Sequence, residues 1–590
     1  MTKSRTSRRA AGAYFTPDPV VRYIVRHTLA PLLQDASPDR PPRILEPACG
    51  EGVFLVEAYR YLLEWLLARY QRESGHGRCL ERGNSGEWRL TFEERKRILF
   101  ASLFGVDQDI SYVQAAKYAL AQAAADGDQQ RTDSLTRQLD ANIHCGDALI
   151  GPDFQAERGR VEATNPFSWE DAFGHFLKPP NEGFDAIIGN PPYVNVRILT
   201  KSRGKVVKDY LKSRYRCAYG SYDLYVLFLE KAHELLRPGG MCGLIVPNKI
   251  AAMDYARPCR SLLLERTILT RITDVSQCGA FRNVGVYPYV VIWKKGHPNG
   301  RHHIDVFHAG STDELAGDRT TLRVSQAELS AEAGLSIHGS LNVESRATTR
   351  PLGEIAELHS GTTGFAASKV AADLRERSAD QGEDCFDFIV SGNIDRYVIQ
   401  LGDVRFMKRD FARPVLPRQS NCLSLRKREL FRDPKIVVAG MTRRLEAAYH
   451  PGGLALGVQV YAVAKPAEDS GYLLALLNSR LLSYLFRIRF QAKHLAGDYL
   501  AINKGPLGRL PIRIIDPANE RERRRQQRLV ELAEAMQDRS AGRSLRKSEL
   551  MEHETASKQL ESMDREIDRI VYQLYGLTDH EIQTVESDFD

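Results

Sequence analysis

The chain has 590 residues, of which 43% are hydrophobic and 27% charged. That is the make-up of folded globular protein in more than one domain, and it excludes a small single binding module and wholesale disorder. The 82 Lys and Arg against 75 Asp and Glu leave a formal charge of +7, which is compatible with a polyanionic partner but too small over this length to argue for one.

In chain order, residues 43–58 (RILEPACGEGVFLVEA) predict a short strand, a Gly-containing turn and the start of a helix that continues through YRYLLEWLLARY. Charged residues fill 71–100. LFASLFGVD then predicts a second strand ending at Asp107, a helix follows from about Ser111, and ANIHCGD predicts a third strand ending at Asp147. FDAIIGNPPY (184–193) carries a fourth strand. After it come the helix DLYVLFLEKAHELL, the strand MCGLIVPN, and the pair RITDVS and YPYVVIWKK, close enough in sequence for a hairpin at one sheet edge. Strands alternating with helices imply parallel pairing in a doubly wound α/β sheet.

The alternation stops near 296–350, where polar and turn-forming residues dominate. The expected organisation is a catalytic domain over 1–300, a linker over 301–350, a mixed α/β domain over 351–516 and a helical tail over 517–590. The mixed domain holds the strands FDFIVSG and KIVVAG and the helix YLLALLNSRLLSYLF. In the tail, Ile567, Ile570, Val571 and Leu574 share one helical face. The nine cysteines form no CxxC pair, as in a reducing compartment. The basic N-terminus lacks an apolar signal core, and no stretch approaches the roughly 18 apolar residues of a membrane span. A soluble, cytoplasmic protein without a membrane partner is expected.

The first constellation that carries chemistry is Glu46-Pro47-Ala48-Cys49-Gly50-Glu51-Gly52, where a strand turns into a helix. Small residues let backbone approach a ligand, and a helix N-terminus offers N–H groups. The spacing fits neither the dinucleotide G-x-G-x-x-G nor a phosphate loop, so a nucleotide-like ligand without a triphosphate is favoured. A lone Gly-x-Gly is usually just a tight βα turn, and a lone strand-end Asp is usually a cap. Here Asp107 can accept ribose hydroxyls and Asp147 an adenine amine, and all three strand ends lie on the C-terminal sheet edge where open α/β folds bind ligands. Together they describe a nucleoside pocket.

The decisive element is Asn190-Pro191-Pro192-Tyr193. Two prolines fix the backbone and remove two N–H donors, leaving carbonyls and the Asn190 amide oxygen as acceptors around one small volume. Accepting both hydrogens of a planar NH2 group, at Asn190 Oδ1 and the Pro191 carbonyl, draws the nitrogen lone pair out of conjugation and aims it at an electrophile. Tyr193 is placed to stack on the ring that bears the amine.

On these motifs, residues 13 to about 300 resemble the gamma-class, TaqI-like N6-adenine DNA methyltransferases of restriction-modification systems. The resemblance implies S-adenosyl-L-methionine as cofactor, a Rossmann-like methyltransferase sheet, and methyl transfer to the N6 of an adenine flipped out of double-stranded DNA. It makes Tyr14 and Thr16, in Gly12-Ala13-Tyr14-Phe15-Thr16-Pro17, contacts to the methionine part. Glu46, Pro47, Ala48, Gly50 and Gly52 form the cofactor loop, with Asp107 at the ribose, Asp147 at the adenine and Asn190 beside the transferred methyl. Asn190, Pro191, Pro192 and Tyr193 match the catalytic tetrapeptide, and Phe281 matches a second aromatic packed on the flipped base. A Phe before an apolar strand is otherwise a core residue.

The same tetrapeptide occurs in protein glutamine methyltransferases, which are short. Here nearly 300 residues follow, and PLGEIAELHSGTTG, FIVSGNIDRY, LLALLNSRLL, LGRLPI and DREIDRIVYQLYGL resemble the DNA target-recognition domain and tail of specificity modules. Arg443 and Arg444 are candidate base readers because Arg suits guanine edges. The basic segment 197–216 is equally a DNA backbone clamp or a solvated helix face. Only a dozen residues precede the cofactor segment, so modification without cleavage is expected, with a separate restriction nuclease or defence-system subunit as candidate partner. The alternatives are a protein glutamine or RNA methyltransferase and a catalytically silent DNA-binding specificity subunit.

Overall fold

A computed structural model of the chain describes residues 16–590 except 74–76, 84–85, 155–163, 180–181, 277, 279–286, 318, 332–333, 336–342, 344–345, 363, 379–383, 491–493, 496–498, 546–549, 588 and 590. It divides into two compact units, Met1–Gly339 and Ser340–Asp590.

In the first unit the strands of the main sheet are β1 (Ile44–Glu46), β2 (Leu103–Asp107), β3 (Ile143–Cys145), β4 (Phe184–Gly189), β5 (Leu236–Pro247), β6 (Thr267–Asp274), β7 (Pro288–Lys295), β8 (His303–His308) and β9 (Leu322–Ser325). They form one nine-stranded sheet in the order β3-β2-β1-β4-β5-β7-β6-β8-β9. β1 pairs in parallel with both β2 and β4, and β7 is antiparallel to both β5 and β6. β6 and β7 therefore do pair as a hairpin, but inside the sheet, because β8 joins β6 on its far side. β8 and β9 come from a stretch whose polar composition conceals them: β8 buries Ile304, Val306 and Phe307 while His303 stays exposed. Within LFASLFGVD the strand is shorter than its apolar run, since Leu99–Ser102 close the preceding helix Phe92–Ser102.

The helices that bear on the site are α1 (Asp18–Leu33), α2 (Val53–Arg72), α3 (Ile110–Ala125), α4 (Val196–Arg203), α5 (Lys205–Arg214) and α6 (Tyr225–Leu235). Alternation along the strands feeds two cores. Ile44, Ala186, Ile188, Val290 and Ile292 pack with α1, α2 and α3, whereas Leu45, Ile187, Leu244, Val291 and Trp293 pack with α4, α5 and α6. Helices on both faces of a mostly parallel sheet make this the doubly wound α/β fold.

The second unit is mixed α/β. One four-stranded sheet is built from Glu357–Ser360, Val460–Ala464, Lys435–Ala439 and Ala447–His450, and another from Arg375–Glu376, Pro414–Pro417, Cys385–Ile389 and Leu454–Leu456. The apolar run 472–486 forms two helices, Ser470–Asn478 and Arg480–Phe490. They break at Ser479, whose backbone turns extended (ψ 152°), where the Asn478 amide pairs with Ala447 on both its oxygen and nitrogen. The tail is helical over Glu520–Leu545, Leu550–Tyr575 and Asp579–Ser587, and Ile567, Ile570, Val571 and Leu574 are buried together. No helix among the described residues is long and apolar enough to cross a membrane.

Candidate active site at the C-terminal sheet edge

β1 ends at Glu46, and the chain turns into α2 through Gly50 (φ 51°) and Gly52 (φ 81°), both in left-handed backbone. A Cβ on Gly52 would lie 3.0 Å from the Cα of Ala116 in α3, so glycine lets the two helices meet here. The turn is tied to β2 by Cys49 N–H donating to the Val106 carbonyl at 3.0 Å. Gly105 leaves space for the buried Cys49, whose Sγ would be 3.2 Å from a Cβ there.

Three acids come to this edge. Asp107 accepts the Gly50 N–H at Oδ2 and the Asp109 N–H at Oδ1, each at 2.9 Å. Burial pushes its carboxyl above the ordinary range, and those two amides pull it back. Glu46 is 3% exposed, and its Oε2 has no hydrogen-bond partner among the described residues. Burial first, and then repulsion by Asp107, raise its carboxyl well above the ordinary value, against a backbone hydrogen bond from Leu55. Asp147, two residues beyond β3, accepts the Leu149 N–H at 3.0 Å and holds Arg203 of α4 at 2.6 Å.

The tetrapeptide leaves β4 beside this group. Gly189, the residue before Asn190, has positive φ (145°), and a Cβ on it would lie 3.2 Å from Glu46 Oε1. Glu46 thus lies against the residue before Asn190, across β1 and β4, the two strands where the chain reverses its winding. Asn190 Nδ2 donates to Thr16 Oγ1 at 3.0 Å, which fixes the amide end that donates and makes Oδ1 the accepting end. Pro191 is buried. Tyr193 donates from its hydroxyl to the Ile245 carbonyl at 3.0 Å, and its ring meets Tyr225 edge-on at 6.2 Å. Past the tetrapeptide, Val196 N–H donates to the Tyr222 carbonyl and Leu224 N–H to the Val194 carbonyl. The Asn195 side chain both caps α4 and donates to Asp223 at 2.8 Å.

Glu46, Pro47, Ala48, Gly50, Gly52, Asp107, Asp147, Asn190, Pro191, Pro192, Tyr193 and Thr16 therefore lie along one edge. Tyr14 and Phe281 lie outside the described residues. Thr16, expected at a ligand, accepts a hydrogen bond from Asn190. Sequence reasoning missed Arg203 and the brace at Asn195 and Asp223. The Asn195 cap is the one visible signal, since Asn before a helix is a capping residue. Of the two arginines singled out as base readers, Arg443 is exposed, while Arg444 is half-buried and burial lowers its pKa.

The donor set fits S-adenosyl-L-methionine: three strand-end acids, one with a buried oxygen lacking a partner among the described residues, surround glycine turns, and the molecule carries a sulfonium and an ammonium for which carboxylates are the matching groups.

The doubly wound sheet thus carries acids at three strand ends and Asn-Pro-Pro-Tyr after the fourth strand. The family model of the Eco57I restriction-modification methylases matches residues 101–281. Over 291 residues the chain is 26% identical to the type II restriction enzyme and methyltransferase RM.Eco57I of Escherichia coli, covering 48% of this chain and 28% of that protein. It is 24% identical over 272 residues to the adenine-specific methyltransferase PglX of Streptomyces coelicolor, covering 43% of this chain and 20% of the relative. The chain thus spans less than a third of the length of these relatives. The fold matches that of the type IIL restriction-modification enzyme MmeI, solved in complex with DNA, with a TM-score of 0.57 and 14% identity over 98% of this chain and 78% of that one.

Proposed function

We propose that the protein is a site-specific DNA adenine-N6 methyltransferase that uses S-adenosyl-L-methionine. In this reading it is the modification component of a restriction-modification or related phage-defence system, with cleavage left to a separate nuclease or defence subunit. The observation that carries the reading is the approach of Glu46 to Gly189, the residue before Asn190, across β1 and β4, with the Asn190 amide donating to Thr16.

The cofactor supplies an electrophilic methyl group on a positive sulfur. Glu46 and Asp107 give its cationic and ribose groups their acceptors, and the glycine turn lets backbone lie against it. Asn190 Oδ1 and the Pro191 carbonyl accept the two hydrogens of the adenine amine, so its lone pair faces the methyl carbon. These two acceptors would stabilise the positive charge that develops on the nitrogen as it takes the methyl group, and the surplus proton would leave to solvent as S-adenosylhomocysteine is released. Tyr193 offers a ring already held at its hydroxyl and edge, so stacking an extruded base costs little reorganisation and compensates lost base stacking. The second unit supports DNA over protein glutamine as substrate, because a lone methyltransferase sheet acting on a peptide needs no additional 250-residue α/β body.

The test is incubation with methyl-labelled S-adenosylmethionine and genomic DNA lacking adenine methylation, followed by digestion to nucleosides. The expected result is labelled N6-methyladenine, lost by about a thousandfold in Asn190→Ala while cofactor affinity stays within about tenfold. Label in RNA or protein but not DNA, or near-normal turnover by the variant, overturns the reading.

A further inference from the structure

Asp147 has one oxygen for its own loop and one for something else. Oδ1 accepts the Leu149 N–H at 3.0 Å, and Oδ2 takes the Arg203 guanidinium at 2.6 Å. Arg203 also donates to Oε1 of Gln108, the residue after Asp107. A single side chain therefore bridges the ends of β2 and β3, the two strand ends that the proposed function gives to ribose and adenine. Both partners of the pair are largely buried, with 19% of the Arg203 and 11% of the Asp147 side chain exposed.

Arg203 comes from the last turn of α4, directly after the catalytic tetrapeptide. Gly204, which joins α4 to α5, has φ 87° and ψ 169°, a backbone region open to glycine. A Cβ there would meet nothing within 4 Å, so it is conformation rather than crowding that calls for glycine. Around this joint Arg197, Lys201, Lys205 and Lys212 are exposed, as are Ile198 and Val206. Arg203 is the member of this cationic segment that turns inward, to the pocket.

We propose that Arg203 couples cofactor binding to DNA binding. This rests on the function proposed above. The adenine amine of the cofactor and the Arg203 guanidinium are alternative partners of Asp147 Oδ2. When the amine takes that oxygen, the guanidinium is released on the exposed basic segment and pairs with a DNA phosphate beside Lys201 and Lys205. Linkage makes the effect reciprocal: the cofactor raises DNA affinity by the factor by which DNA raises cofactor affinity, about tenfold for a contact of this kind. The arrangement favours loading cofactor before the target is engaged.

The test measures S-adenosylhomocysteine affinity of the full chain with and without a mixed-sequence DNA duplex, and duplex affinity with and without S-adenosylhomocysteine across a salt series. The wild type should show the two equal coupling factors. Arg203→Gln should bind S-adenosylhomocysteine several-fold more tightly without DNA, lose the coupling, and show a salt slope for DNA binding lower by about one when the ligand is present. Arg203→Lys, which keeps the charge but not the fork, should restore part of the coupling. Weaker S-adenosylhomocysteine binding by Arg203→Gln makes Arg203 a wall of the pocket and overturns the proposal, as does unchanged coupling. A wild type that binds neither ligand overturns the proposed function, whereas one that binds both independently overturns this inference alone.

Discussion

The acids of the helical tail and those of the sheet edge that carries the site are held in opposite ways. In the helical tail of the second unit, Asp564 is gripped by both guanidinium nitrogens of Arg396, one at 2.7 Å. Glu522 is held by Arg513, whose Nη2 donates to both carboxylate oxygens at 2.8 Å. At the sheet edge of the first unit, Asp107 meets only backbone amides and Glu46 Oε2 meets nothing among the described residues. Burying a carboxylate with its cation holds elements together, while burying one without leaves it to be completed by a ligand's donor or cationic group. Asp147 stands between the two cases, because the cation it holds is one that a ligand can replace. Pairing, rather than burial, thus separates the structural acids from those of the site.

The comparison breaks most visibly if the tail pair is removed. Arg396 also donates to the Asn478 carbonyl at 2.8 Å, the residue before the break between the two apolar helices. Its side chain is 9% exposed, so Arg396→Ala leaves Asp564 with its charge and takes away its fork. Unfolding in denaturant should show a loss of about 3–5 kcal/mol, with S-adenosylhomocysteine affinity unchanged. A loss below about 1 kcal/mol would mean that the tail acids are no more structural than those of the site.

Glu46→Gln should act in the reverse sense. The raised carboxyl of Glu46 keeps its proton in the folded chain at pH values where the unfolded chain has released it. The contribution is therefore complete below the ordinary carboxylate range and is lost as pH rises through the folded value. The glutamine has no proton to lose, so near neutral pH the variant should be more stable than the wild type by about 1–3 kcal/mol, and the gap should close toward acid pH. The same variant should bind S-adenosylmethionine at least tenfold more weakly, about 1.4 kcal/mol, and wild-type affinity should climb with pH as Glu46 ionises. Stability and affinity moving together in this variant would remove Glu46 from the site.

How far these differences are legible in sequence follows from where the partners lie. The strand-end acids and the tetrapeptide announce themselves, because each follows a short apolar run at the place where a parallel strand ends. The bridge from Arg203 to Asp147 does not: it spans 56 residues, and its arginine looks like one more cation in a basic segment. β8 and β9 are hidden because alternate residues of an outer strand stay polar. The second unit resists reading further, since its strands run two to five residues and pair across long separations, as Glu357–Ser360 does with Val460–Ala464. The break at Ser479 falls at the polar triplet Asn478-Ser479-Arg480 inside an otherwise apolar run, which a single helix could also carry, and the distant Ala447 backbone accounts for the Asn478 that precedes it.

Asp107→Ala gives the smallest effect and the finest division between ligand contact and scaffold. Asp107 holds the Gly50 and Asp109 amides, so its removal loosens the turn and also takes away the acceptor assigned to the ribose. Cofactor affinity should fall by about tenfold, roughly 1.4 kcal/mol. Asp107→Asn, which keeps an acceptor oxygen for one amide but not both, should fall between the wild type and the alanine variant. Titration with S-adenosylhomocysteine, and separately with a fragment lacking the ribose hydroxyls, divides the two roles. A tenfold loss confined to the complete ligand assigns it to the hydroxyls, and an equal loss for both assigns it to the turn. Unchanged affinity for both removes Asp107 from the site, and the division between acids paired with cations and acids left for a ligand would then rest on Glu46 alone.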